Sequence, residues 1–353
     1  MRDRKCNLSF FLLFFLLLQT CFSFTNNKSA ITFVFNPGRF GDRLLTYINA
    51  KWVSYKYDIP LYYPKFKYSD QLTLSKEERR YNKKMKRKFK KTVSLKRTRK
   101  RFIQRGEEVN LKIQRDAGYL YVSNYYFRPK IDWKDKGFVA EIKKMLSPIN
   151  PTKQVCVPKD RISVAVHVRK GGGFDGPLLS EANQKVLVTK ENIGMLKKKY
   201  MDVKHPIKFP PDKYYISEIK RLYEMFNKNP LHVHVFTDDK NPKRIVEKYK
   251  NELGKENITF SWRKEGNRHD KNVIADFYSM TYYDCLIRPD SNMSLCAEKI
   301  GDFFIAIFPG KFYWDKDHIV DDVKIKVNVD NFKKISKFTT PVFMLNGVIA
   351  EYL

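Results

Sequence analysis

Ile162-Ser163-Val164-Ala165-Val166-His167-Val168-Arg169-Lys170-Gly171-Gly172-Gly173 is an apolar run that ends in two basic residues and three glycines. A short run of this kind, rich in β-branched side chains, predicts a buried strand over 162–168, and the glycines mark its end. The pattern continues downstream. A helix is predicted from Pro211 to Asn227, with Pro at its start, then a strand from Leu231 to Phe236 that closes on Thr237-Asp238-Asp239. Helix 241–250, strand 258–262, helix 273–283, strand 285–287, helix 293–300 and strand 303–308 follow in turn. Regular alternation predicts an α/β fold with a parallel sheet covered by helices on both faces.

The amino-terminal half starts in the same way. Ala30–Phe35 reads as a buried strand, Asn36-Pro37-Gly38-Arg39-Phe40-Gly41 as a turn, and Asp42–Tyr57 as a helix with Asp42 at its N-cap. A second strand-like segment spans 118–127, and a helix spans 138–146. The segment 150–160, with Pro151 and Pro158, is the best candidate boundary. The architecture expected is two Rossmann-like domains, 30–155 and 160–353, with a cleft between them.

Charge is uneven along the chain. Of a net +31, the stretch 76–105 supplies 16 Lys/Arg against two acids, which leaves +17 for everything else. Its bland reading is a solvated, Lys-rich insertion in the first domain. Its functional readings are acidic glycans, phosphoinositide surfaces or nucleic acid. No nucleic-acid-binding motif accompanies it, and nucleic acid is not expected as a partner. Five scattered cysteines without a Cys-x-x-Cys pair exclude a disulfide framework and a zinc ribbon.

Arg2, Arg4 and Lys5 precede 17 uncharged residues, Leu8 to Phe24. That is the layout of a secretory signal, and as a helix it would be about 26 Å long, the lower limit for spanning a bilayer. Residues 1–24 are therefore expected to be a signal peptide or a short membrane anchor. The expected setting is membrane-associated or secretory: the Golgi or ER lumen in a eukaryote, the membrane or envelope in a bacterium.

In an open parallel sheet, ligands bind beyond the carboxyl ends of the strands. Four sets of residues fall there. The loop with Gly38 and Gly41 lets backbone N–H groups approach an anion. His167, Arg169 and Lys170 close one strand, with glycines behind them that suit an anion held by guanidinium and backbone donors. Asp238 and Asp239 close another strand, and serve equally well as a turn before Asn241-Pro242. Asp276 and the loop Ser291-Asn292-Met293-Ser294 flank a third, where either serine could instead cap a helix.

In order along the chain, these segments resemble the family 11 alpha-1,2-fucosyltransferases, and more distantly the alpha-1,6- and protein O-fucosyltransferases. Gly38-Arg39-Phe40-Gly41-Asp42-Arg43 is similar to an opening Gly-x-Leu-Gly-Asn-Gln loop. Gly118-Tyr119 through Tyr125-Tyr126-Phe127 resembles a Gly-Tyr-Phe-Gln-Ser-x-x-Tyr-Phe strand. His167-Val168-Arg169-Lys170 resembles a His-x-Arg-Arg-x-Asp signature, and Phe236-Thr237-Asp238-Asp239 a Phe-Ser-Asp-Asp turn. Asp276-Phe277-Tyr278-Ser279-Met280 and Ser291-Asn292-Met293-Ser294 resemble the last block.

The resemblance implies a GT-B fold, GDP-fucose as donor, a glycan hydroxyl as acceptor, inversion at the sugar carbon and no required metal or other cofactor. It assigns Arg169 to the charge that grows on the departing pyrophosphate. His167 and Asp276 go to the nucleoside, Ser291 or Ser294 to phosphate oxygens, Asn292 to the donor without a narrower role, and Asp238 and Asp239 to ligand orientation. The chain departs from the family at Lys170, which replaces a second Arg, and at Gly172, which replaces Asp. Asp175 lies three residues on, where the glycines could let it reach back. Asp175 and Glu181 are the candidate general bases. Two other readings stay open: a catalytically weak glycan-binding protein, and a basic surface-binding protein that uses 76–105.

Overall fold

The computed structural model describes residues 28–35, 38–95, 111–150, 157–172, 174–182, 186–254, 256–315 and 318–334. The expected signal or anchor (1–24), the third glycine (Gly173) and part of the expected boundary (151–156) lie outside them. No helix among the described residues is long and apolar enough to cross a membrane. The chain divides into two units: residues 1–38, 46–70 and 74–132, and residues 39–45, 71–73 and 133–353.

The first unit carries a three-stranded parallel sheet, β1 (Ala30–Phe33), β5 (Tyr119–Ser123) and β4 (Lys91–Leu95), in that order, with a second parallel pair of β2 (Tyr62–Tyr63) and β3 (Arg79–Arg80). Helix α1 (Phe40–Tyr57) contributes Tyr47, whose ring meets Phe33 edge-on, and Asn49, whose amide donates to the carbonyl of Phe127 (3.1 Å). Part of the stretch 76–105 thus belongs to the sheet rather than to a solvated insertion. Lys91–Leu95 alternates outward Lys91, Thr92 and Ser94 with half-buried Val93 and buried Leu95, and pairs in register along β5.

The second unit is built on six strands in the order β11-β10-β9-β6-β7-β8, where β6 is Ile162–Val168, β7 Leu231–Thr237, β8 Ile258–Trp262, β9 Cys285–Ile287, β10 Ile305–Asp315 and β11 His318–Val327. Strands 6 to 10 are parallel and β11 closes the edge as an antiparallel hairpin with β10. The α/β expectation, with parallel sheets, is borne out. The chain runs outward from β6 through β7 to β8, then returns to β9 on the other side of β6. That reversal makes the carboxyl ends of β6 and β9 the switch point of the sheet, where such folds hold ligands.

Period-two patterning decides which side chains face which layer. Val164, Val166 and Val168 of β6 and Val233 and Val235 of β7 pack with Tyr215, Ile219 and Leu222 of α3 (Asp212–Met225) and Val246 and Tyr249 of α4 (Pro242–Leu253). The opposite face mixes buried apolar residues, Ala165, Phe236 and Leu286, with polar ones. His232 and His234 are buried there, and Ser261 on β8 lies within 2.8 Å of both rings. Burial holds the His234 pKa down to about 3, so its ring is neutral, and burial lowers that of His232 as well. The remaining main helices are α2 (Lys136–Leu146), α5 (Val273–Met280) and α6 (Asn292–Ile300).

Candidate functional site

Strands β6 and β7 pair with Val168 opposite Thr237, so the residues leaving each strand become neighbours. Asp238 uses both oxygens: Oδ1 accepts the backbone N–H of Lys170 (2.7 Å) and Oδ2 accepts Nη1 of Arg39 (3.3 Å). Gly171 and Gly172 then turn the chain back at φ +89° and +55°. At Gly172 a Cβ would lie 2.8 Å from the Asp238 carbonyl oxygen and 2.9 Å from the His269 nitrogen, so a side chain fits neither the dihedral nor the space. The hairpin of glycines brings Asp175 back to the strand end.

Three cations meet on Asp175. Arg39 Nη2 donates to Oδ2 at 2.6 Å, Arg169 Nη2 donates to the same oxygen at 2.8 Å, and Lys208 Nζ lies 3.5 Å from Oδ1. The ring of Phe209 underlies both Arg169 and Lys208, at 5.2 and 5.3 Å, and Phe174 underlies Arg39 at 5.1 Å. Burial, then the charge of Arg169, holds the Arg39 pKa below its ordinary value. Burial by itself pushes the Asp175 carboxyl up, but Arg169, Arg39 and Lys208 outweigh it and the pKa falls below the usual carboxylate range. That is opposite to what a general base at neutral pH requires. The expected catalytic-base role of Asp175 does not fit this arrangement; Asp175 is the internal counter-ion of a cationic site. Glu181 is likewise held, by Lys170 (3.2 Å) and by Arg244.

Around this core the structure sorts the other expected residues. The Nε of Arg169 is buried with no partner among the described residues, and so is Nδ1 of His167. Burial, with Arg169 and Arg39 nearby, holds the His167 pKa down to about 3, so the imidazole is neutral and able to donate or accept. Lys170 differs from expectation. Its ammonium turns to Glu181 and Asp212, both at 3.2 Å, and only its backbone N–H serves Asp238. Asp239 does the work of a turn: Oδ1 accepts the Asn241 N–H (2.7 Å) and Oδ2 pairs with Arg244 (3.3 Å). The two aspartates therefore have separate partners.

Gly38 is half-buried beside Arg39. Gly41 is where α1 and α6 meet: a Cβ there would fall 2.3 Å from the Met293 nitrogen. The glycine thus admits a helix rather than leaving its backbone open. Asp42 is not the N-cap. The helix begins at Phe40, Asp42 Oδ2 reaches back to the Arg39 N–H (3.0 Å), and Oδ1 accepts Nδ2 of Asn292 (2.7 Å). Ser291 occupies the N-cap position of α6 without a side-chain cap bond, and the Ser294 hydroxyl donates to the Ser291 carbonyl (3.3 Å).

Asp276 is engaged by a residue that sequence reasoning missed. Its Oδ1 accepts Nε of Arg263 (2.8 Å), and burial pushes its pKa up to about 6 against the pull of Arg263. Arg263 directly follows β8, as Arg169 follows β6, so the strand-end rule extended to that strand would have found it. Arg39 lay inside the quoted loop, masked by the glycines around it. Lys208 had no signal. Among the described residues no group of three His, Cys, Asp or Glu side chains is arranged to hold a metal ion.

No protein-family profile matches the sequence, and no curated protein matches it. Solved structures that align with the chain include POFUT1 in complex with GDP-fucose, at 13% identity and a TM-score of 0.39 over 78% of this chain and 94% of that one. A mutant of Arabidopsis thaliana FUT1 in complex with GDP aligns at 13% identity and 0.42, over 79% and 70%. NodZ alpha-1,6-fucosyltransferase co-crystallised with GDP aligns at 10% and 0.38, over 84% and 98%. At such values the alignments leave the assignment to the residues of the site.

Proposed function

We propose that the chain is a glycosyltransferase that moves fucose from GDP-fucose to a hydroxyl of a glycan acceptor, with inversion, through a 1,2 linkage to galactose. The observation that carries the reading is the convergence of Arg39, Arg169 and Lys208 at the carboxyl end of β6, at the switch point of a parallel sheet. The motif order supplies the choice of sugar nucleotide.

The chemistry follows from those residues. As the bond from sugar to β-phosphate stretches, negative charge grows on the departing diphosphate. Fixed guanidinium groups in a partly buried site stabilise that charge without reorganising. Arg169 supplies a planar fork whose Nε is still unused. His167, kept neutral, offers a hydrogen bond without adding charge. Asp276 presents a carboxylate suited to the paired N–H donors of guanine, with Arg263 holding it in place. The resemblance implies that no metal is required, the fixed cations taking that part.

One observation favours a second reading. Lys170 is diverted to Glu181 and Asp212, so a family position that carries charge toward the donor is spent on the fold. A catalytically weak glycan-binding protein that keeps the nucleotide site fits that feature. Thermal unfolding with GDP, with and without EDTA, followed by donor turnover, separates the two. Stabilisation by GDP with turnover supports the enzyme, stabilisation without turnover supports the second reading, and no stabilisation at millimolar GDP rejects both.

A further inference from the structure

The stretch Arg79–Lys91 holds nine Lys/Arg and no acid, and the structure shows how it is displayed. Tyr81, Met85 and Phe89, four residues apart, are half-buried against a cluster of Ala30, Tyr62 and Leu120. Every Lys and Arg between them is exposed. The backbone is tied down at each end: the Tyr81 N–H donates to the Tyr63 carbonyl (2.8 Å) and the Lys90 N–H to the Gly118 carbonyl (2.9 Å). Between these, the Asn82 side chain caps the 3-10 turn Lys83–Lys88 through the Met85 N–H (3.1 Å). None of the nine cations forms an ion pair among the described residues, and Glu78, which precedes them, is drawn to Lys51 (2.8 Å). This is an ordered basic face: Lys91 lies over the Tyr119 ring (5.9 Å), and no carboxylate among the described residues neutralises any of the nine.

We infer that this face docks on an anionic lipid bilayer. Three observations favour lipid over other polyanions. Ala30 belongs to the same cluster as Tyr81, Met85 and Phe89, and only five residues, 25–29, separate it from the uncharged stretch Leu8–Phe24. Five residues reach at most ~18 Å, so an apolar segment held at a membrane brings the basic face with it. A polybasic patch beside a hydrophobic attachment adds electrostatic attraction to anionic lipid. The second observation concerns the aromatics. Tyr81 and Phe89 point into the cluster, with Phe89 edge-on to Tyr62, which leaves no stacking platform for nucleic-acid bases. Lysines outnumber arginines six to three, which suits a diffuse anionic surface better than bidentate recognition of a defined glycan. The inference is independent of the donor site.

The test is co-sedimentation of the full chain with vesicles of phosphatidylcholine alone or with phosphatidylserine, at several salt concentrations. A variant with Lys83, Lys84, Lys86, Arg87 and Lys88 changed to Gln is measured beside it. Each basic residue near an anionic leaflet strengthens binding about fivefold, so losing five weakens binding to the anionic vesicles by more than about a hundredfold and leaves the neutral ones unchanged. Wild-type binding should fall steeply with salt. A second variant with the four lysines changed to Arg controls for folding and should bind as wild type. Equal binding of wild type to both vesicles, or an anionic preference that survives the glutamines, would overturn the inference. So would retention on heparin or a single-stranded oligonucleotide at salt that strips the protein from anionic vesicles.

Discussion

Replacing Asp175 by Asn removes one negative charge from the point where Arg39, Arg169 and Lys208 meet. In the described structure that carboxylate sits where an anion is most strongly attracted, with its side chain 8% exposed. A diphosphate entering the site must displace it or lie against it. Two unit charges 4 Å apart interact by about 4 kcal/mol at an effective dielectric of 20. Allowing about half for solvent screening leaves about 2 kcal/mol of repulsion, or roughly thirtyfold in affinity. Asp175→Asn should therefore tighten GDP binding by roughly that factor. It should also destabilise the free protein by about 3 kcal/mol, because Arg39 and Arg169 are left facing each other. GDP should restore most of that loss. Titration calorimetry and thermal unfolding, with and without GDP, read both effects. Unchanged or weaker GDP binding would refute the reasoning, and would mean that Asp175 arranges the cations rather than competing for them.

Gly41→Ala places a Cβ 2.3 Å from the Met293 nitrogen, a backbone clash that should cost at least about 3 kcal/mol in urea unfolding; a neutral outcome contradicts the packing of α1 on α6. Burial raises the Asp276 pKa to about 6. A raised pKa means that its contribution to stability is full below about pH 4 and declines as pH rises through 6, whereas reading guanine needs the ionised form. GDP affinity should therefore rise with pH across about 6, and Asp276→Asn should abolish that dependence. Burial opposes ionisation of Glu298, but Arg288 and Lys326 hold its pKa down to about 2, so its stability contribution is present above about pH 4.5 and lost as pH falls toward 2. Arg288 is 2% exposed and donates Nε to Glu298 Oε2 (2.6 Å), so Glu298→Gln should cost about 3 to 5 kcal/mol at neutral pH by leaving it buried without its counter-charge.

The centre of the second unit's parallel sheet was legible because β6 and β7 are short, mostly apolar runs with glycines or aspartates just beyond their ends. The unbroken run Ile162–Val168, apolar at alternate positions and nearly so between them, announces a strand buried on both faces without knowledge of its neighbours. The hairpin strand β11 was not legible. His318–Val327 carries Asp321, Asp322, Lys324 and Lys326, and its place depends on pairing with β10, which is a tertiary fact. Within the site, Arg169 and Asp238 could be found from the strand-end rule, since topology alone brings them together. The partners of Lys170 could not, because nothing local tells an ammonium to turn toward Glu181 and Asp212 rather than toward an anion. Asp239 is the instructive case. Its sequence context fits a turn as well as a ligand contact, and the hydrogen bond to Asn241 shows the turn.

Arg169 and its neighbours are proposed to form a nucleoside-diphosphate site at the end of β6. The direct measurement is calorimetric titration of GDP into the wild type and into Arg169→Ala. Saturable binding to the wild type is expected, with a loss of about thirtyfold or more in the variant, the worth of a charge-assisted pair of about 2 to 3 kcal/mol. Equal affinity in the two proteins, or no GDP binding by the wild type at millimolar concentration, would contradict it.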